Sequence, residues 1–188
     1  IIFGCGCFWG AEKCFWKLPG VITTSVGYAG GKKNNPTYYE VCSGLTGHSE
    51  VVRVIWDKRE IDVSDLLKMF WECHDPTQKN RQGNDMGTQY RSAIYYKNEN
   101  NIKTILASKE QYQTELSKKN LGLIETEIKM IDSYFYAEQY HQQYLASAGS
   151  RQYCSASPTK VKLGVFTGSN YKLEDHIWEN FNWEVDKC

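Results

Sequence analysis

The hydrophobic pattern of these 188 residues predicts an α/β protein: an α+β two-layer sandwich on a ferredoxin-like split β-α-β core. Two observations carry that prediction. Segments with period-two or continuous apolar character and segments with helical spacing follow one another as strand, helix, strand, strand, helix, strand. Turn formers such as Pro19-Gly20 and Asp75-Pro76 punctuate the junctions. An extra helix, an extra strand and a long irregular C-terminal tail extend this core.

Ile1-Ile2-Phe3 opens a buried strand over residues 1–5, and Phe8, Ala11, Phe15 and Leu18 then recur at helical spacing until Pro19-Gly20 ends the helix. Residues 21–28 read as a strand. Residues 29–47, rich in Gly, Asn, Ser and Thr, read as a long loop of the kind that usually carries function. In the next strand, residues 50–57, Glu50 shares a face with Val52, Val54 and Trp56. Asp62 or Ser64 caps a helix whose apolar side holds Leu66, Leu67, Phe70 and Trp71. A polar loop, 75–89, leads to a strand at 90–96, a charged helix at about 100–119, an alternating strand at 124–130 and a last helix at 136–146. Residues 1–146 are expected to form the catalytic unit, and residues 147–188 a loosely organised tail.

Twenty-two basic and 22 acidic side chains cancel, so bulk charge gives no reason to expect nucleic acid as a partner. No apolar run approaches the ~20 residues that cross a bilayer, and a soluble monomer is expected. Seven cysteines without a secreted-type framework point to a reducing, cytoplasmic setting. Because the chain opens in mid-strand, residues upstream, including any organelle-targeting segment, are expected to precede it.

Cys7 lies in Gly6-Cys7-Phe8-Trp9-Gly10 at a strand-to-helix junction, where unpaired amides and the helix dipole favour a thiolate. A free cysteine is as often a small buried hydrophobe, which is the reading for Cys5, Cys14, Cys42 and Cys73. His48, His74, His141 and His176 are scattered singly, with none at ligand spacing from Cys5 or Cys7, so no zinc site is expected. His48 and His141 remain open as the base of a cysteine hydrolase. Two late thiols, Cys154 and Cys188, fit redox chemistry better, since a mobile segment brings a second thiol onto an oxidised Cys7. Reduction of an oxidised sulfur also needs a proton donor. Glu50 on an apolar face is one candidate, Tyr38 and Tyr90 offer hydrogen bonds, and Phe8 and Trp9 offer an apolar wall. Each has an ordinary alternative: a solvated strand-end acid, or plain packing among 13 tyrosines and an aromatic core. A peroxidase, a hydrolase or a non-catalytic aromatic-pocket module are the competing classes.

Five segments in order, Gly6–Gly10, Asn35-Pro36-Thr37-Tyr38, Thr46-Gly47-His48-Ser49-Glu50, Trp71-Glu72-Cys73-His74-Asp75-Pro76 and the run from Arg81 to Arg91, resemble the A-type peptide methionine sulfoxide reductases. The resemblance implies a ferredoxin-like fold and reduction of methionine S-sulfoxide, free or in oxidised proteins, with no bound cofactor and with thioredoxin as reductant. It implies Cys7 as nucleophile, Glu50 as acid, and Tyr38 and Tyr90 as donors to the sulfoxide oxygen. Phe8 and Trp9 become the methyl pocket, Asp85 the binder of the substrate amide, and Cys154 the resolving thiol. The tail departs from the family's glycine-rich pattern. Cys188 enters as a possible second recycling thiol.

Overall fold

The computed structural model describes residues 1–179 of the chain. Its elements are β1 (Ile2–Cys5), α1 (Phe8–Trp16), β2 (Val21–Ala29), α2 (Tyr38–Cys42), β3 (Ser49–Trp56), α3 (Val63–Cys73), β4 (Arg81–Gln82), β5 (Asp85–Met86), β6 (Ser92–Tyr96), α4 (Ile102–Lys118), β7 (Glu127–Met130), β8 (Tyr134–Tyr136) and α5 (Asp175–Glu179). One six-stranded sheet has the order β7-β6-β1-β3-β2-β8. Its inner four strands, β6-β1-β3-β2, pair antiparallel throughout, which is the split β-α-β arrangement expected from the sequence. At the rims, β7 adds parallel to β6 and β8 antiparallel to β2.

Period-two alternation sorts the strand residues onto two faces. Phe3, Cys5, Val26, Tyr28, Val52, Val54 and Ile94 join the large core beneath α1 and α3. Ile2, Ala29, Val51, Ala93 and Tyr95 form a smaller cluster on the far face. At the centre, the Phe3 ring stacks between Phe15 of α1 and Phe70 of α3, with ring centroids 4.8 and 5.2 Å away. This contact locks both helices to the middle strand, because aromatic side chains bury the most apolar area per residue.

The expected cap of α3 is present: Asp62 accepts from the Ser64 amide, and Asp65 answers on the Asp62 amide. The helix is buried nearly all round rather than on one side. Helix α4 covers part of it, where Trp71 stacks on Tyr112 and donates to Ser108 Oγ, and the tail covers more. Although it has little regular structure, Val161, Leu163, Phe166 and Trp178 join the large core. Buried Glu72 accepts the Leu163 amide at 2.9 Å and pairs with Lys68 and Lys162, while Asp65 accepts the Lys172 and Leu173 amides. The expectation of a loose tail is therefore corrected for 158–179. Two acids on the back of α3 substitute for the missing sheet or helix partners of its backbone.

Two further readings change. The loop 29–47 contains α2, started by a Thr37–Glu40 capping box. The helix expected at 136–146 is instead the end of β8 followed by two 3₁₀ turns. Its backbone is diverted by side chains: Gln142 exchanges two hydrogen bonds with the Val26 backbone, and the Gln143 amide donates to Glu12. These contacts compete successfully with helical i to i−4 bonds.

We predict that Glu72→Ala, which leaves partly buried Lys68 and the Leu163 amide without this acceptor, lowers the unfolding free energy by about 3 kcal/mol. Urea titration measures the loss, and limited proteolysis should show faster cleavage within 158–173. A variant as stable and as resistant as the parent refutes this role.

Candidate active site

The turn from β1 into α1 places Cys7 as the residue that caps the helix N-terminus. Gly6 makes the turn possible: its φ is +93°, and a Cβ there would meet Gln82 Cβ at 2.6 Å. Buried Gln82 donates to the Asp75 carbonyl and accepts from the Asp75 and Ser157 amides, so one side chain joins the 75–89 loop to the tail beside Cys7.

Two acids share the amides at the start of α1. Glu50 of β3 accepts the Phe8 amide at 3.0 Å, while the Trp9 and Gly10 amides point at the Cys7 sulfur. Sequence reasoning expected the helix start to lower the thiol's pKa. In the substrate-free site the net direction is the reverse. Burial first, then the charge of Glu50, push the Cys7 thiol well up, and the amides offset only part of this, with Asp85 adding a smaller push. Glu50 itself is buried, and desolvation raises its pKa to about 8 despite the Phe8 amide, with Asp85 adding in the same direction. It is a protonated acid at neutral pH.

Three phenols look toward this carboxyl. Burial is the main cause that raises the pKa values of Tyr28, Tyr38 and Tyr90, and the Glu50 charge contributes to each, so all stay protonated donors. Glu138 holds two of them in place, accepting from the Tyr28 hydroxyl and the Tyr38 amide at 2.8 Å each. Phe8 is buried against Tyr28 and His141, whereas half-exposed Trp9 stacks on Tyr144 at 3.8 Å and donates its indole N–H to His141 Nδ1 at 3.1 Å. Sequence reasoning missed Tyr28, Glu138 and Tyr144. Their tyrosines and acid carry no distinguishing spacing: Tyr28 comes from β2, and the turns after β8 bring Glu138 to Tyr28 and Tyr38 and bring Tyr144 to Trp9.

Neither candidate histidine base serves Cys7. His48 accepts the Gly31 amide through Nδ1 and binds the Lys33 carbonyl through Nε2, which pins the 29–47 loop. His141 is committed to Trp9. Asp85 on β5 is half-buried, and its carboxylate accepts the Tyr153 hydroxyl at 2.6 Å. Tyr153 therefore brings the tail against the same hairpin. Cys154 is disulfide-bonded, and Cys188 lies outside the described residues. Thus Cys7, Glu50, Tyr38, Tyr90, Phe8, Trp9 and Asp85 come together around the N-terminus of α1.

The peptide methionine sulfoxide reductase family model matches residues 1–171. The chain belongs to the peptide methionine sulfoxide reductase family. Among curated relatives, the peptide methionine sulfoxide reductase MsrA of Azotobacter vinelandii is 57% identical over 162 residues, covering 86% of this chain and 74% of the relative. That of Vibrio vulnificus is 56% identical over 161 residues, covering 86% and 77%. Among solved structures, methionine sulfoxide reductase A of Corynebacterium diphtheriae superposes with a TM-score of 0.73 at 45% identity, covering 81% of this chain and 76% of that one. Mxr1 from Saccharomyces cerevisiae in reduced form gives 0.74 at 33% identity, covering 84% and 90%. The chain is thus an oxidoreductase of the methionine sulfoxide reductase A type, and the expected fold and activity are borne out.

For this reductase we predict that Gly6→Ala lowers both stability and activity, by about 1–3 kcal/mol in unfolding free energy, because a side chain there is strained and strikes Gln82. Urea titration and initial rates together check it; a fully stable and active variant would contradict the geometry.

Proposed function

We propose that this reductase acts on the S epimer of methionine sulfoxide, free or in oxidised proteins, with Cys7 as nucleophile and Glu50 as acid. The observation that carries the reading is the Glu50 carboxyl, buried beside the cysteine at the helix start and protonated until about pH 8. An incoming sulfoxide oxygen accepts from Glu50, Tyr38 and Tyr90. Cys7 sulfur attacks the substrate sulfur as Glu50 passes a proton to the oxygen, and the thiol proton restores Glu50. The oxygen passes from the substrate sulfur to the Cys7 sulfur as the bond between the two sulfurs parts, so methionine leaves as the thioether and Cys7 carries the oxygen as a sulfenic acid. Trp9 and the edge of Phe8 flank the methyl group, and Asp85 binds the substrate's backbone N–H.

Cys154, once its own disulfide has been reduced to the thiol, condenses with the sulfenic acid, releasing water and forming a disulfide with Cys7. Thioredoxin returns the enzyme to its dithiol state, and Cys188 relays the disulfide outward. Thiol chemistry and an external reductant suffice, with no bound redox cofactor. The chain works as a monomer in a reducing compartment such as the cytoplasm. The cysteine hydrolase alternative lacks its base among the described residues: His48 is bound through both ring nitrogens, and His141 accepts the Trp9 indole N–H on Nδ1, which puts the ring proton on Nε2 and leaves no lone pair for a base.

Single-turnover reduction should be level at neutral pH and decline above about 8, where Glu50 loses its proton. Glu50→Gln should slow this step by about 10²–10⁴ and abolish the decline, as expected for loss of a general acid. A parent-like rate would reject Glu50 as the acid. The same group bears on stability. Its folded pKa is raised from the ordinary 4.5 to about 8, so the unfolded chain sheds a proton that the native state keeps; stability falls as pH rises through that window. Urea midpoints should accordingly drop less from pH 5 to pH 8 in Glu50→Gln than in the parent.

For the sulfur steps, Cys154→Ser should return one equivalent of methionine and accumulate a sulfenic acid that dimedone traps. Turnover with thioredoxin unchanged in Cys188→Ser would remove the relay while leaving the Cys7–Cys154 step intact.

A further inference from the structure

At the C-terminal ends of β1 and α3 the fold assembles a sulfur cluster that the proposed sulfoxide reduction does not use. Cys5 is the last residue of β1, Cys73 the last of α3, and His74 the C-cap of α3. One donor atom from each, two sulfurs and an imidazole nitrogen, lie within 4.8 Å of one another. All three residues are buried, at 3%, 1% and 0% exposure. Cys73 Sγ stands 3.9 Å from His74 Nδ1. Cys14 of α1, equally buried, has its thiol hydrogen-bonded to Cys73. We propose that Cys5, Cys73 and His74 form a structural site for a thiophilic divalent cation of the zinc type, with Cys14, hydrogen-bonded to Cys73, drawn in as the fourth ligand on binding.

The donor set and the spacing support this choice. Three sulfurs and one imidazole make a closed tetrahedral set for zinc. Sulfur at about 2.3 Å and nitrogen at about 2.0 Å from one ion stand about 3.5 Å apart at the tetrahedral angle, so the Cys73–His74 pair at 3.9 Å has to close by a few tenths of an ångström and the group as a whole, now within 4.8 Å, by about 1 Å at its widest. The imidazole is also oriented for the task. With Nδ1 on the metal, Nε2–H donates to Ser92 Oγ, now 2.8 Å away, and Ser92 in turn pairs with Thr126 Oγ1 at 2.8 Å. Such a hydrogen-bonded outer partner is the usual way a ligating histidine is held. The exchange gives up the present bond between Nδ1 and the Phe70 carbonyl at 2.7 Å.

On binding, three S–H bonds are replaced by zinc–sulfur bonds and the protons leave to water. Three thiolates and a neutral imidazole leave the ion with one net negative charge, and Lys13 and Lys17 of α1 are the cations whose fields reach Cys14. The ion would tie together β1, α1 and α3, whose contacts also set the turn that presents Cys7. Sequence spacing could not disclose this, because Cys5 and His74 are brought together only by the packing of α3 onto β1.

The test uses the reduced full chain, unfolded and refolded with zinc ion and then passed through gel filtration with a weak chelator. Stoichiometric zinc is expected in the parent and in Cys7→Ser, and its loss in Cys5→Ser and Cys73→Ser. Cobalt loading should show a thiolate-to-metal charge-transfer band in the first pair alone, and zinc should raise the melting temperature of the parent by several degrees without moving Cys73→Ser. Cys73→Ala replaces Cys73→Ser if a buried hydroxyl prevents folding. A parent that retains no zinc overturns the proposal, and so does zinc retained equally in Cys5→Ser, Cys73→Ser and Cys73→Ala.

Discussion

At the N-terminus of α1 a single helix start serves two acids. The Phe8 amide holds the Glu50 carboxyl, and the next two amides face the Cys7 sulfur. Burial makes both groups resist ionisation, and each one's charge would disfavour the other's. The resting site therefore carries protons on both. The surrounding phenols, the Glu138 clamp and the Gly6 turn are all arranged around this shared dipole.

The fold supplies the rigidity that such an arrangement requires. Phe3, stacked between Phe15 and Phe70, fixes β1 against both helices, so the strand that leads into Cys7 has little freedom to shift. Antiparallel pairing of β1 with β3 sets Glu50 relative to that strand's end. A displacement of either by an ångström would weaken catalysis strongly, since proton transfer and attack both need near-contact geometry.

The tail shows how irregular backbone becomes ordered. Asp65 and Glu72 accept its amides from one side of α3, while Val161, Leu163 and Phe166 fill the space between them and the core. Farther up, Tyr153 and Ser157 bond to Asp85 and Gln82, which brings the neighbourhood of Cys154 to the hairpin beside the cysteine turn. One end of the tail thus packs on α3, and the other is tied by hydrogen bonds to the hairpin beside Cys7.

The amino-acid sequence by itself determined the strand and helix order, the Asp62 cap, the apolar face that carries Glu50, and the motif residues Cys7, Tyr38, Tyr90 and Asp85. These are legible because period-two and helical spacing, caps and short motifs are local in the chain. Only the tertiary structure decided the protonation of Cys7 and Glu50, since their pKa values depend on burial and on partners 43 residues apart in sequence. It also decided that residues 136–146 turn rather than spiral, because Glu12 and the Val26 backbone, more than a hundred residues away, compete for their hydrogen bonds. The tail's docking and the cluster of Cys5, Cys14, Cys73 and His74 belong to the same class. Long-range packing brings together groups whose separation along the chain carries no signal.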